Sequence, residues 1–179
     1  MKNNGLHIVP ITINQANDII EEYHRHSGRV TGHRFSVACY DLNPNGGVRH
    51  LGVAVVGRPV SKEFDFQYTA ELNRLCVIPS EEIIKRYGGP APSNNIHSFI
   101  YGHCARAWFE MGGVEMITYT RITENGSSLR ASGAIFDGTR KPGNWNSRSK
   151  KVHNLDPKHR WKWVNHKHPR LQLVGGING

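Results

Sequence analysis

Several groups of residues in this 179-residue chain have types and spacings that can do chemistry. Ser93, Asn94 and Asn95 stand just ahead of a long apolar-periodic segment. Their side chains can cap a helix, and the amides at such a helix start, from Ser93 to Ile96, can hold an anion. His97, Tyr101 and Cys104 share one face of that helix at i, i+4 and i+7. A Cys–His pair can form a nucleophile, but a thiol in mid-helix between alanine and histidine suits the core better. Trp145, Trp161 and Trp163 are interleaved with Lys150, Lys151, Lys158, Arg160 and Lys162, and Arg58 follows an apolar strand. Aromatic faces can stack nucleobases while such cations take phosphates, although Trp161 and Trp163 serve equally well as core residues. Ser127 and Ser128 open a short Ser-rich helix that they can cap. The histidines at 24, 26, 33, 166 and 168 lack zinc-finger spacing, so no metal site is assigned.

The elements that must position these groups are legible from periodicity. Leu6 to Ile11 reads as a strand, and Thr12 with Gln15 as a capping box for a helix through Tyr23. Arg34 to Tyr40 reads as a strand with Phe35, Val37 and Cys39 on one face. A turn at Asn43 to Gly47 leads into a partner strand from His50 to Val60, apolar on both faces and so central. Ala70 to Ile78 is a strand ended by Pro79. Pro79 to Ser93 is a long irregular stretch with a helical turn at Glu81 to Tyr87. A helix from Asn94 to Met111, a strand from Val114 to Arg121 and a short helix closed by Gly133 follow. Asp137 to Asn146 is turn-rich, and Arg160 to Val164 alternates as a last strand. On the Ala70–Ile78 strand, Glu71 and Arg74 fall on opposite faces if the strand is regular. The order β-α-β-β-β-α-β-α-β predicts one α/β (α+β) domain over 6–164 with a tail at 165–179. Its mixed, mostly antiparallel sheet is flanked by helices, and no GxGxxG follows the first strand to suggest a doubly wound parallel sheet.

Charge is distributed unevenly. The chain holds 23 Lys and Arg against 14 Asp and Glu, a net charge of +9. Residues 1–139 are balanced, 13 against 13, whereas 140–179 hold 10 basic residues and one acidic, Asp156. Such a block either binds a polyanion or is simply solvated. No segment approaches the roughly 20 apolar residues of a membrane span, and no secretory signal pattern opens the chain. Cys39, Cys76 and Cys104 have no CxxC spacing. Buried, reduced thiols in a cytoplasmic protein are the expectation.

One resemblance follows from this succession. Strand, phosphate-loop region, helix, strand and Ser/Ala/Gly-rich helix resemble the acyl-CoA half of the GNAT N-acyltransferase fold. Three segments sharpen it: His33-Arg34-Phe35-Ser36, Gly52 through Val60, and Ser127-Ser128-Leu129-Arg130-Ala131-Ser132-Gly133. Together they resemble small phage and prophage GNAT-like proteins, distantly similar to the phage Mom adenine-modification protein. The resemblance implies acetyl-CoA or another acyl-CoA along the Ala70–Ile78 strand, near Cys76 and Val77. Its pyrophosphate would meet Ser93, Asn94, Asn95 and Ile96, and Arg130 would be a further contact. GNAT proteins carry an Arg/Gln-x-x-Gly-x-Gly/Ala loop there; this chain has Gly88-Gly89-Pro90-Ala91-Pro92-Ser93. Glu71 stands where GNAT enzymes place a general base, and it equally suits a surface salt bridge. The family's usual acid, a tyrosine on the short helix, is matched here by Leu129, so Tyr119, Ser127 and Ser128 are the candidates to meet the leaving thiolate. The implied function is acyl transfer in a host cytoplasm to an amine on DNA or a modified nucleotide. A non-catalytic nucleic-acid-binding module and a small-molecule amine acetyltransferase are the alternatives.

Overall fold

The computed structural model describes residues 5–24, 28–43, 47–91, 95–141 and 156–170. Among these residues seven strands form one sheet: β1 (His7–Ile11), β2 (Phe35–Leu42), β3 (Val48–Gly57), β4 (Thr69–Val77), β5 (Glu115–Arg121), β6 (Ile135–Arg140) and β7 (Lys158–Val164). Their order is β1-β2-β3-β4-β5-β7-β6. Every pairing is antiparallel except that of β4 with β5. The described residues also form four helices: α1 (Ile13–Tyr23), α2 (Ser80–Tyr87), α3 (Ile96–Glu110) and α4 (Ser127–Ala131).

The α1 start is fixed by its own sequence. The Gln15 amide donates to Thr12 Oγ1 at 3.3 Å, and the Thr12 amide donates to Gln15 Oε1 at 2.9 Å, a reciprocal capping box. The helix then lays Ala16 and Ile20 onto Ala38, Val53, Val55 and Cys76. On the other face Leu51, Ala54, Val56, Ala70 and Leu72 meet Ile100 and Cys104 of α3, with Met116, Trp161 and Trp163. β3 is thus buried on both sides, as a central apolar strand must be. Fully burying one such Val or Leu is worth about 1.5–3 kcal/mol. Trp161 and Trp163 are core residues, 1% and 3% exposed, so the stacking role weighed for them is excluded by burial.

Two elements differ from the sequence reading. Ser80 to Tyr87 is a complete helix rather than a turn within a loop. Glu81 and Glu82 lie in its first turn, Lys85 and Arg86 in its last, and Gly88 closes it at φ 76°. Ile135 to Arg140 is a strand, so Asp137 to Arg140, read as the start of a turn-rich stretch, belong to the sheet. Its alternation is broken by Gly138 at φ 92° and by a register shift between Phe136 and Thr139, which hides the strand from pattern reading.

Two further irregularities, both on β4, shape the centre of the sheet. Val56 pairs with Leu72 and Val55 with Arg74, so Asn73 is an extra, bulged residue. Gly57 makes room for it: a Cβ there would lie 2.3 Å from Asn73 Oδ1. The expectation that Glu71 and Arg74 occupy opposite faces therefore fails, because the bulge returns both to the face that carries α1. The second irregularity is that β4 and β5 pair over three positions only: Thr69 with Glu115, Ala70 with Met116 and Glu71 with Ile117. At the point of parting, the Thr118 hydroxyl donates to the Leu72 carbonyl at 2.9 Å, a side chain standing in for the next ladder bond. Beyond it the strands splay into a wedge.

A buried ion pair holds the approach to α3. Arg49 Nε donates to Asp41 Oδ1 at 2.9 Å, Arg49 Nη2 reaches the other carboxylate oxygen, and Arg49 Nη1 donates to the Pro90 carbonyl at 3.0 Å. The hairpin of β2 and β3 thereby grips the loop that leads from α2 towards α3.

Candidate active site

The wedge opens at the carboxyl ends of β4 and β5. α2 and then α3 follow β4, and α4 follows β5. Strand alternation fixes what β4 offers. The Ile78 amide donates to Leu51 on the β3 side at 2.9 Å. The main-chain groups of Cys76 therefore also face β3, while those of Leu75 and Val77 face the wedge. The Cys76 side chain is buried against α1, where burial pushes its thiol up to about 11. Val77 is half-buried at the wedge. At the start of α3, Ile96 is buried, and the Asn95 carbonyl already accepts from the Phe99 amide at 2.9 Å. The first-turn amides of a 15-residue helix have no partner within it. Ser93, Asn94, Lys150 and Lys151 lie outside the described residues.

The face of β4, β5 and β7 opposite α3 is polar. Register puts Glu71, Ile117 and Lys162 in one row, and Tyr119 beside Arg160 in the next. Glu71 is 8% exposed, and the Val60 amide of the β3–β4 loop donates to its Oε2 at 2.9 Å. Burial raises the Glu71 carboxyl above its ordinary range, partly offset by the Val60 amide, the Asn73 side chain and the positive charges of Arg74 and Lys158. The surface-salt-bridge reading of Glu71 does not describe this environment, since no ion pair within 4.0 Å reaches it among the described residues. Burial also raises the Tyr119 phenol, while a hydrogen bond with Arg160 pulls it down. A buried carboxylate with a raised pKa is suited to take a proton near neutral pH.

The remaining predicted residues are distributed as follows. Arg160 donates to Asp137 at 2.5 Å and to Glu63 at 3.2 Å, and Lys162 pairs with the same Asp137 at 3.0 Å. Burial alone would raise Asp137, but Lys162 and Arg160 outweigh it and hold the carboxyl low. Arg58 and Lys158 are exposed. Ser127 is exposed and Ser128 half-buried on α4. Neither caps that helix; Gly126 does so at φ 68°, and Asn125 Oδ1 accepts from the Ser127 amide at 3.0 Å. Arg130 lies over the Trp161 ring, 4.8 Å from its centre. Cys104 is wholly buried with its thiol pushed up to about 12, as a core residue should be. Sequence reasoning missed Asp137, Asn73 and the neighbouring Glu115. None of the three carries a local sequence signal.

No protein-family description matches this chain, and no curated protein sequence matches it. Solved structures do. A Bacillus subtilis acetyltransferase in complex with CoA superposes with a TM-score of 0.53 at 12% identity, over 89% of this chain and 99% of that one. Spermidine/spermine N-acetyltransferase from Vibrio cholerae gives 0.57 at 10%, over 97% and 98%. The ribosomal-protein-S18-alanine N-acetyltransferase of Escherichia coli gives 0.55 at 12%, over 89% and 93%. The fold of this chain is the GNAT fold.

The environment of Glu71 sets a pH dependence. A carboxyl that holds its proton more tightly folded than unfolded destabilises the fold as pH rises from its ordinary value of 4.5 through the raised one. Glu71→Gln keeps the shape and an oxygen for the Val60 amide but removes the charge. It should raise the thermal midpoint at pH 7, and the gain should vanish below about pH 4, where the carboxyl is protonated in both states. Thermal melts between pH 3 and 8 check this. A variant less stable than the unaltered protein at pH 7 would contradict a desolvated carboxylate.

Proposed function

We propose that this protein is an acyl-CoA-dependent N-acyltransferase that moves an acyl group directly from thioester to amine, without an acyl-enzyme. The observation that carries the reading is the wedge: a three-residue parallel contact that opens beside a buried, proton-avid glutamate. The Leu75 and Val77 main-chain groups are free to pair with an extended amide chain such as pantetheine. The first amides of α3 suit a pyrophosphate. The thioester supplies the activated acyl group. Glu71 takes the proton that an ammonium must lose before its lone pair can attack. As the new C–N bond forms the C–S bond breaks, and Tyr119 or the Ser127 and Ser128 hydroxyls can stabilise or protonate the departing thiolate.

The acceptor we favour is an amine on DNA or a modified nucleotide. The support is the block of 10 basic residues against one acidic in 140–179. Arg58 and Lys158 are the exposed described cations of the proposed interface. Arg160 and Lys162, already paired with Asp137, would order it rather than take phosphates themselves.

Two experiments test the reading. With acetyl-CoA as donor, Glu71→Gln should lower turnover about 10²–10⁴-fold while acetyl-CoA affinity stays level, the usual contribution of a general base. Unchanged turnover at pH 7 removes Glu71 from the chemistry. For the acceptor, log affinity for duplex DNA should fall with log salt at a slope of about −0.9 per phosphate contact, and Lys150, Lys151 and Lys158 to Gln should flatten it by about one to three contacts. An unchanged slope would give the small-molecule reading first place.

A further inference from the structure

The bulge at Asn73 does more than shift register. Gly57 and Val55 are two residues apart on β3 and face the same way, so their partners Glu71 and Arg74 stand side by side on the α1 face, about 7 Å apart along the strand. Neither neutralises the other within ion-pair distance among the described residues. The two charges are nonetheless close enough to act on each other.

Arg74 is an incompletely used cation. Its guanidinium is half-buried, and among the described residues its Nη1 donates only to the carbonyl of the adjacent Asn73, at 2.7 Å. Its Nε is buried and has no acceptor among the described residues. A buried donor without a partner is costly, and such atoms are uncommon in native folds. The edge that carries Nε is the one with which arginine makes side-on, two-bond contacts to a carboxylate or phosphate. Burial lowers the tendency of Arg74 to hold its charge, and a bound anion would reverse that. Ser36 lies in the same row across β2, β3 and β4, and its hydroxyl is 2.6 Å from His33 Nδ1.

We infer that Arg74 is an acceptor-recognition residue, binding an oxyanion that the acceptor carries a few bonds from the amine presented to Glu71. This rests on the acyltransferase reading above and narrows it: the acceptor is a zwitterion, its ammonium directed to Glu71 and its phosphate or carboxylate to the Nε edge of Arg74. A bare alkylamine or polyamine would leave that edge unpaired and bind poorly.

Calorimetry on the full chain tests this with three defined probes: 2-aminoethyl phosphate, β-alanine and propylamine, each titrated into free protein and into protein saturated with CoA. At least one oxyanion-bearing amine should bind about tenfold or more tightly than propylamine. Preference for the phosphate or for the carboxylate identifies which oxyanion the site takes. Arg74→Gln should bring the preferred probe level with propylamine while CoA affinity holds. Arg74→Lys, which keeps the charge but not the fork, should recover only part of it. Equal binding of all three probes to the unaltered protein, or no binding of any, overturns the proposal without recourse to a variant. So does an Arg74→Gln protein that keeps its preference. If CoA does not bind, the acyltransferase reading falls, and the titrations into free protein still decide whether Arg74 selects an oxyanion.

Discussion

The divergence of β4 from β5 is the constraint on which the rest of this structure depends. Parallel strands normally hold together along their length, because every unpaired main-chain group in a sheet interior is costly. Here the ladder stops after Glu71 and Ile117, and the Thr118 hydroxyl closes it with a bond to Leu72. The amides beyond are left facing an opening. Such an arrangement is tolerated only if the flanks are rigid. β3 supplies one rigid flank, buried on both faces between α1 and α3. β7 supplies the other, with Trp161 and Trp163 buried under α3 and α4 and Tyr101 lying 5.6 Å from the Trp163 ring. The Asp41–Arg49 pair adds a third support by holding Pro90 on the way to α3.

The electrostatics follow from the same geometry. Because Glu71 and Tyr119 lie on the sheet face opposite the α3 core, they are desolvated without being packed into that apolar interior. Cations and carboxylates then divide into two groups. Arg160, Lys162, Asp137 and Glu63 satisfy one another and tie β6, β7 and the β3–β4 loop together. Among the described residues Glu71 and Arg74 have no direct ion-pair partners, which is the condition under which charged groups serve a ligand rather than the fold.

Much of this was legible in the residues. The Thr12–Gln15 box, the doubly buried β3, the helix after the Gly/Pro stretch and the two strands around it follow from spacing and turn chemistry. What was not legible depends on contacts between strands. No local pattern says that Asn73 is extra in its pairing, so Glu71 and Arg74 read as opposed. β6 is interrupted by Gly138 and shows no clean alternation. The ion pairs of Arg160 and Lys162 form with Asp137 across a strand boundary, so a stretch that reads as free basic charge is partly neutralised within the fold.

The central claim is that the opening between β4 and β5 receives an acyl-CoA. Hydrogen exchange of the backbone amides, followed with and without CoA, tests it most directly. The account predicts that CoA slows exchange at Leu75 and Val77 and in the first turn of α3 at Ile96 to Ser98, leaving the β1–β2 edge unchanged. Protection that falls elsewhere, or none at saturating CoA, would contradict it.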